Sequence, residues 1–152
     1  VIATCRSDDD RAIALRAGAD VALLTGEGLA ARIRELAPDG VQHIVEVALG
    51  ANIETDVTVL AQGGSIATYA SDVFQPEIPY WPLVFSNARL FFIGSDDVPP
   101  TAKKEAALAV NEALAAGWPG LDIAATFPLE AIAQAHEYVE HPTQPGRVIV
   151  TI

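Results

Sequence analysis

Apolar residues along this chain fall into short runs of strand length that alternate with longer stretches of helical period. The runs are VIAT (Val1 to Thr4), DVALL (Asp20 to Leu24), HIVEVAL (His43 to Leu49), GSIATYA (Gly64 to Ala70) and RLFFIGS (Arg89 to Ser95). They are rich in β-branched residues and apolar on both faces, as central strands of a parallel sheet are. Between them, Asp9 to Ala17 carries Ile13 and Leu15 and ends at Gly18, a C-cap residue. Glu27 to Ala37 repeats Leu29, Ile33 and Leu36 at helical spacing and is stopped by Pro38. Asn52 to Leu60 and Thr101 to Ala116 complete the predicted helices, the latter capped by Thr101 and closed by Gly117 and Pro119. The alternation predicts an α/β fold, a parallel sheet covered by helices.

Two stretches depart from this rhythm. SDVFQPEIPYWPLVFSNA holds Pro76, Pro79 and Pro82 beside Phe74, Tyr80, Trp81 and Phe85, and predicts a loop with an apolar face. From Leu121 the order becomes strand, helix (Leu129 to Val139), loop with Pro142, and a final strand Arg147 to Ile152. The opening VIATCRSDDDRAIALRAGAD is strand, polar turn and amphipathic helix, the second half of a βαβ unit. A nucleotide-binding fold of this kind holds pyrophosphate on a glycine-rich turn after its first strand. The nearest candidates, Gly26 with Gly28 and Gly63 with Gly64, have neither the spacing nor the strand-to-helix setting. The expectation is therefore an incomplete Rossmann-type, doubly wound parallel sheet lacking its first strand and glycine-rich loop, plus a C-terminal strand-helix-strand tail. The absence of methionine, even at position 1, agrees with an expected truncation.

Composition narrows the function. With 152 residues, 51% of them apolar, the chain can bury a real core. Nine basic against 20 acidic residues give a formal charge of -11, which repels polyphosphate, so no nucleic-acid partner is expected. No apolar run reaches the roughly 18 to 20 residues that span a bilayer, and the first residues are not the charged stretch followed by an apolar one that a secretory signal would show. A cytoplasmic protein without membrane partners is expected. Cys5 is the only cysteine, which excludes an internal disulfide and a cysteine metal site within one chain. His43, His136 and His141 are scattered and read as structural, so no metal is expected.

Candidate chemistry centres on the first strand's end. An NAD site places a carboxylate there for the ribose 2′-OH, whereas an NADP site brings cations or hydroxyls to the 2′-phosphate. Cys5, Arg6 and Ser7 occupy the position with Arg11 a turn later, which favours NADP; a solvated charge cluster with Asp8, Asp9 and Asp10 is the competing reading. Cys5 reads as a small apolar filler. Glu46, inside an apolar strand, must find a hydrogen-bond donor and is either a satisfied structural acid or a site residue.

Taken in order, the segments VEVALGANIETDVTVLAQGGSIATYAS, IPYWPLVFSNARLFFIGS and FPLEAIAQAHEYVEH, with the first and last strands, resemble the medium-chain dehydrogenase/reductase superfamily. The nearest likeness is to its zinc-independent, zeta-crystallin-like quinone oxidoreductases. The resemblance implies that residues 1 to 120 are an incomplete NADP-binding Rossmann domain and that 121 to 152 pack on a GroES-like catalytic domain preceding this chain. It implies NADPH as cofactor, held by Cys5, Arg6, Ser7 and Arg11 at the 2′-phosphate, by Ala48, Leu49 and Gly50 along adenosine and ribose, and by Tyr69, Ala70, Ser71, Phe92, Ile93 and Gly94 near the nicotinamide half. It further implies hydride or electron transfer to a quinone or enone-like acceptor, with no catalytic acid or base identified, and a homodimer through Arg89 to Ser95. An enoyl-thioester or alkenal reductase and a non-catalytic nucleotide-binding or crystallin-like protein are the alternatives.

Overall fold

In a computed structural model of the chain, which describes residues 1–118 and 120–152, the expected alternation is realised. The elements are β1 (Ile2–Cys5), α1 (Asp8–Arg16), β2 (Val21–Leu24), α2 (Leu29–Leu36), β3 (Val41–Glu46), α3 (Leu49–Val59), β4 (Leu60–Thr68), α4 (Tyr80–Phe85), β5 (Arg89–Phe92), α5 (Pro100–Ala115), β6 (Ile123–Pro128), α6 (Ile132–Glu140) and β7 (Arg147–Thr151). Single 3-10 turns precede α5 at Ser95–Asp97 and α6 at Leu129–Ala131. Pro119, read as part of a helix stop, lies outside the described residues. The chain divides into two compact units: Val1 with residues 3–22 and 104–152, and Ile2 with residues 23–103.

The second unit is built on the parallel sheet β3-β4-β5. Ile66, at the centre of β4, pairs with Ile44 on one side and Leu90 on the other and is fully buried. Leu49 and Ile53 of α3 pack with Leu60 and Ile66 to form the core, joined by Ile44, Val57, Leu83, Ala88 and Leu90. Removing each such side chain from water contributes about 1.5–3 kcal/mol. Arg34 of α2 ties this layer to its neighbours: Nε donates to Thr58 O at 2.9 Å, Nη1 to Pro38 O at 3.1 Å and Nη2 to Leu60 O at 3.3 Å. The first and last of these acceptors lie at the carboxyl end of α3, where a cation also favours the helix dipole. Gly40, in the turn before β3, has φ +88, and a Cβ there would lie 2.7 Å from Ala61 N.

Several boundaries differ from the sequence reading, each for a physical reason. α3 starts at Leu49 rather than Asn52, because carboxylates from elsewhere satisfy its first N–H groups: Glu46 accepts from Ala48 N and Asp72 Oδ1 accepts from Ala51 N at 2.8 Å. β4 begins at Leu60, not Gly64; the register slips between the Val41–Leu60 and His43–Ser65 pairs, so the AQGG stretch continues the strand through an irregularity. The proline-rich segment is not all loop. It contains α4, in which Pro82 occupies the first turn, where its missing N–H costs nothing, and the chain bonds Leu83 N to Pro79 O and Ser86 N to Pro82 O. Thr101 lies inside α5 rather than capping it, since Pro100 suits the first helical position. α2 starts at Leu29, because Gly28 is left-handed.

β1 and β2 pair, with α1 between them in sequence, and Ser7 caps α1 by accepting from Asp10 N at 3.1 Å. α1 stops near Gly18 as expected, with Gly18 N bonded to Leu15 O. The tail is the expected strand, helix, strand: β6 and β7 are parallel, and the Phe127 and Tyr138 rings lie 5.9 Å apart between β6 and α6. Among the described residues no helix is long and apolar enough to cross a membrane.

Candidate functional site

The ends of β3, β4 and β5 are stitched together by backbone bonds beyond their ladders. Tyr69 N donates to Glu46 O at 3.3 Å, Ile93 N to Thr68 O at 2.9 Å, and Leu49 N to Ala70 O at 3.4 Å. Thr68 Oγ1 donates to Ala70 O at 3.0 Å, which turns the chain sharply out of β4. At these carboxyl ends, where α/β sheets take their ligands, lies a cavity of about 420 Å³. Leu49, Tyr69, Phe74, Pro76, Phe92 and Ile93 give it its mostly apolar walls, with Thr68, Ala70, Ser71 and Gly94 completing the lining.

The cavity gathers seven of the predicted site residues: Leu49, Tyr69, Ala70, Ser71, Phe92, Ile93 and Gly94. Ala48 and Gly50 stand beside it at the start of α3, Ala48 as its N-cap. A Cβ on Gly50 would meet Val73 Cγ2 at 2.5 Å and Asp72 Oδ1 at 2.8 Å, so glycine lets residues 71–73 close over the helix end. Phe74 and Pro76, from the segment expected to present an apolar face, also line the cavity, although neither was among the residues expected to hold the cofactor. The apolar character of their segment was the available signal, but its position followed only from the turn after β4. No charged side chain lines the cavity. It is suited to holding a flat, largely apolar group rather than to moving protons.

The β1–α1 turn of the first unit carries the other predicted residues. Cys5 is 5% exposed, and burial, followed by the Asp10 charge, pushes its thiol above the ordinary range while Arg11 opposes the shift. It is packing material there, not an activated nucleophile. Ser7 spends its oxygen on the α1 cap yet keeps its hydroxyl proton to donate. Arg11 is paired with Asp8 at 3.2 Å, whereas Arg6 is exposed and makes no ion pair among the described residues. Arg6, Asp9 and Asp10 border a cavity of about 610 Å³, closed on its other side by Tyr138, Gln144 and Arg147 of the tail. Sequence reading did not bring Arg147 near Arg6, since no local pattern links residues so far apart.

The remaining sequence candidates are accounted for inside the second unit. Glu46 is a buried carboxyl whose Oε1 accepts from Ala48 N and, at 3.0 Å, from Asn52 Nδ2. His43 Nδ1 is 2.7 Å from Ser65 Oγ. Among the described residues no group of three or more His, Cys, Asp or Glu side chains could hold a metal ion.

The fold is a Rossmann-like α/β arrangement with a cavity at the carboxyl ends of its parallel strands. The chain belongs to the zinc-binding dehydrogenase family, whose family model matches residues 1–108. No curated protein matches the chain in sequence. Among solved structures it is similar to an NAD-dependent alcohol dehydrogenase (22% identity, TM-score 0.81, covering 100% of this chain and 43% of that one). It is similar also to a mycobacterial protein complexed with NADPH (21%, 0.82, 100% and 48%). A third is a Bacillus thuringiensis protein assigned as an NADPH:quinone reductase (17%, 0.82, 99% and 48%). The chain thus spans less than half the length of each of these structures. At these identities the likeness establishes the fold, and it agrees with the expected medium-chain dehydrogenase/reductase architecture.

Proposed function

We propose that this chain is the cofactor-binding part of an NADPH-dependent oxidoreductase that reduces a quinone or enone-like acceptor without zinc. The observation that carries the reading is the apolar cavity at the ends of β4 and β5, uncharged and walled by Phe74, Pro76, Phe92 and Ile93. When bound there, the dihydronicotinamide supplies a hydride, and the acceptor takes it with one solvent proton. The chain's own residues bind and orient. Tyr69, Phe92 and Ile93 would orient the nicotinamide half and exclude water, Ala48 to Gly50 would hold the ribose from the start of α3, and Arg6 and Ser7 would take the 2′-phosphate, with Arg147 lining the same β1–α1 cavity as Arg6. Arg11, tied to Asp8, contributes charge at a distance.

The reading includes residues 1–120 as the nucleotide-binding region, residues 121–152 as the segment packing on a catalytic domain, and a cytosolic homodimer. β5 is an edge of its sheet with Phe91 and Phe92 more than half exposed, an edge that natural proteins cover or pair. A second copy pairing there across a twofold axis would continue the sheet.

The test is oxidation of NADPH by the full-length protein with a simple benzoquinone as acceptor. Turnover supports the reading. Turnover only with an enoyl thioester or alkenal would replace the acceptor, and tight NADPH binding with no turnover on either would favour a nucleotide-binding or crystallin-like role.

A further inference from the structure

Two carboxyl groups are buried side by side where β3 meets α3. Glu46 is 5% exposed and Asp56 6%. Asp56 follows Asn52 by one turn of α3, on the face from which Asn52 Nδ2 donates to Glu46, and its Oδ2 has no partner among the described residues. Glu46 Oε1 already accepts twice, from Ala48 N and Asn52 Nδ2, the role of a carboxylate at a helix N-terminus. Asp56 must then supply the proton between them, because two adjacent buried carboxylates cannot both ionise at ordinary cost.

No cation relieves the pair. From α2, Arg34 is committed to the carbonyls of Thr58, Leu60 and Pro38, and Arg32 Nη2 to Leu24 O at 2.7 Å. β3 adds only His43, which is exposed and bonded to Ser65, and β4 offers the hydroxyls of Ser65 and Thr68. Glu54 of α3 itself is exposed. Burial, then the Glu46 charge, push Asp56 up to about 7.

The pair is linked through the first turn of α3 to the cavity wall. Glu46 fixes Ala48 N; Leu49, next along, lines the cavity and is bonded to Ala70 O; Ala51 N holds Asp72, which carries residues 71–73 over Gly50. We propose that Glu46 and Asp56 are a proton-operated clasp, which locks the first turn of α3 and the 71–73 segment against the cavity while they share a proton and loosens both when that proton leaves. The clasp does not depend on what the cavity holds; only its effect on a bound cofactor rests on the function proposed above.

The direction follows from linkage. The closed state binds the Asp56 proton more tightly than an opened, solvated state does, so the clasp's contribution is full below the ordinary carboxyl range, near pH 4. It is lost as pH rises to about 7 and is constant beyond. The test is hydrogen exchange at the Ala48, Leu49 and Ala51 amides of the full-length protein between about pH 5 and pH 7, corrected for the intrinsic rate. No ligand is added, so failure here is separate from failure of the functional reading. The opening constant should rise by up to about tenfold per pH unit, the slope for one proton. Asp56→Asn should flatten the profile, and Glu46→Gln, which removes the repelling charge, should make it shallower. An unchanged slope in Asp56→Asn, or none in the wild type, would overturn the proposal. Should neither variant fold, the Asp56 carboxyl carbon can be titrated in the wild type by NMR. A midpoint in the ordinary carboxylate range would sink the idea, and one near neutrality would uphold it.

Discussion

Replacing Gly40 by alanine separates two costs that usually come mixed. Gly40 has φ +88, and an added Cβ would lie 2.7 Å from Ala61 N and 2.8 Å from both Ala61 Cα and Val59 O. All three are backbone atoms flanking Leu60, itself in the core, so none can swing aside as a side chain tip could. The left-handed conformation costs a non-glycine residue about 1–2 kcal/mol, of which the loss of unfolded-chain entropy offsets about 0.4–1 kcal/mol. Forcing the α2–β3 turn away from the α3–β4 junction adds about 1–3 kcal/mol, as overpacking does. The expected net loss is about 2–4 kcal/mol. Gly63 supplies the control: its φ is +70, but a Cβ there meets nothing within 4 Å, so Gly63→Ala should cost only about 1 kcal/mol. Urea unfolding of both variants at constant slope gives the difference directly. Equal losses in the two variants would refute the close-approach argument and leave only the backbone conformation.

Ile66→Ala should destabilise by about 2–5 kcal/mol, since the side chain is fully buried between Ile44 and Leu90 and its cavity has no route to collapse; the same unfolding assay checks it. Arg6→Ala should weaken NADPH binding about tenfold while leaving NADH binding nearly unchanged, the scale of one charge-assisted contact. Arg11→Ala should move the same titration less, because that guanidinium is already paired with Asp8.

The strands and the tail were legible because apolar, β-branched runs are a local signal: HIVEVAL and GSIATYA announce β3 and β4, although only β4 is buried along most of its length. The residues around the cavity were named through the family resemblance, at the carboxyl ends of parallel strands where such sheets take ligands. What stayed hidden was set across long separations. The start of α3 was misplaced because its capping groups are Glu46 and Asp72 rather than a residue at its own N-cap, where Ala48 stands. Asp56 looks like an ordinary polar position on a helix, and only the packing of α3 on β3 reveals a buried pair. α4 was hidden by its own prolines, which are tolerated because Pro79 precedes the helix and Pro82 falls in its first turn. Arg147 came to the Arg6 cavity through the tail, along a path that no periodicity encodes.

The contact between Ala51 N and Asp72, 21 residues further along the chain, also bears on the order in which the molecule assembles. Glu46 can cap Ala48 N locally, but the bond from Ala51 N to Asp72 forms only after β4 has been laid down and the chain has turned back at Ala70. Closing that loop carries an entropic cost before the bond rewards it. The first turn of α3 is therefore among the last parts of the second unit to become ordered during folding, and the cavity it borders is finished only when the sheet beneath it is already in place.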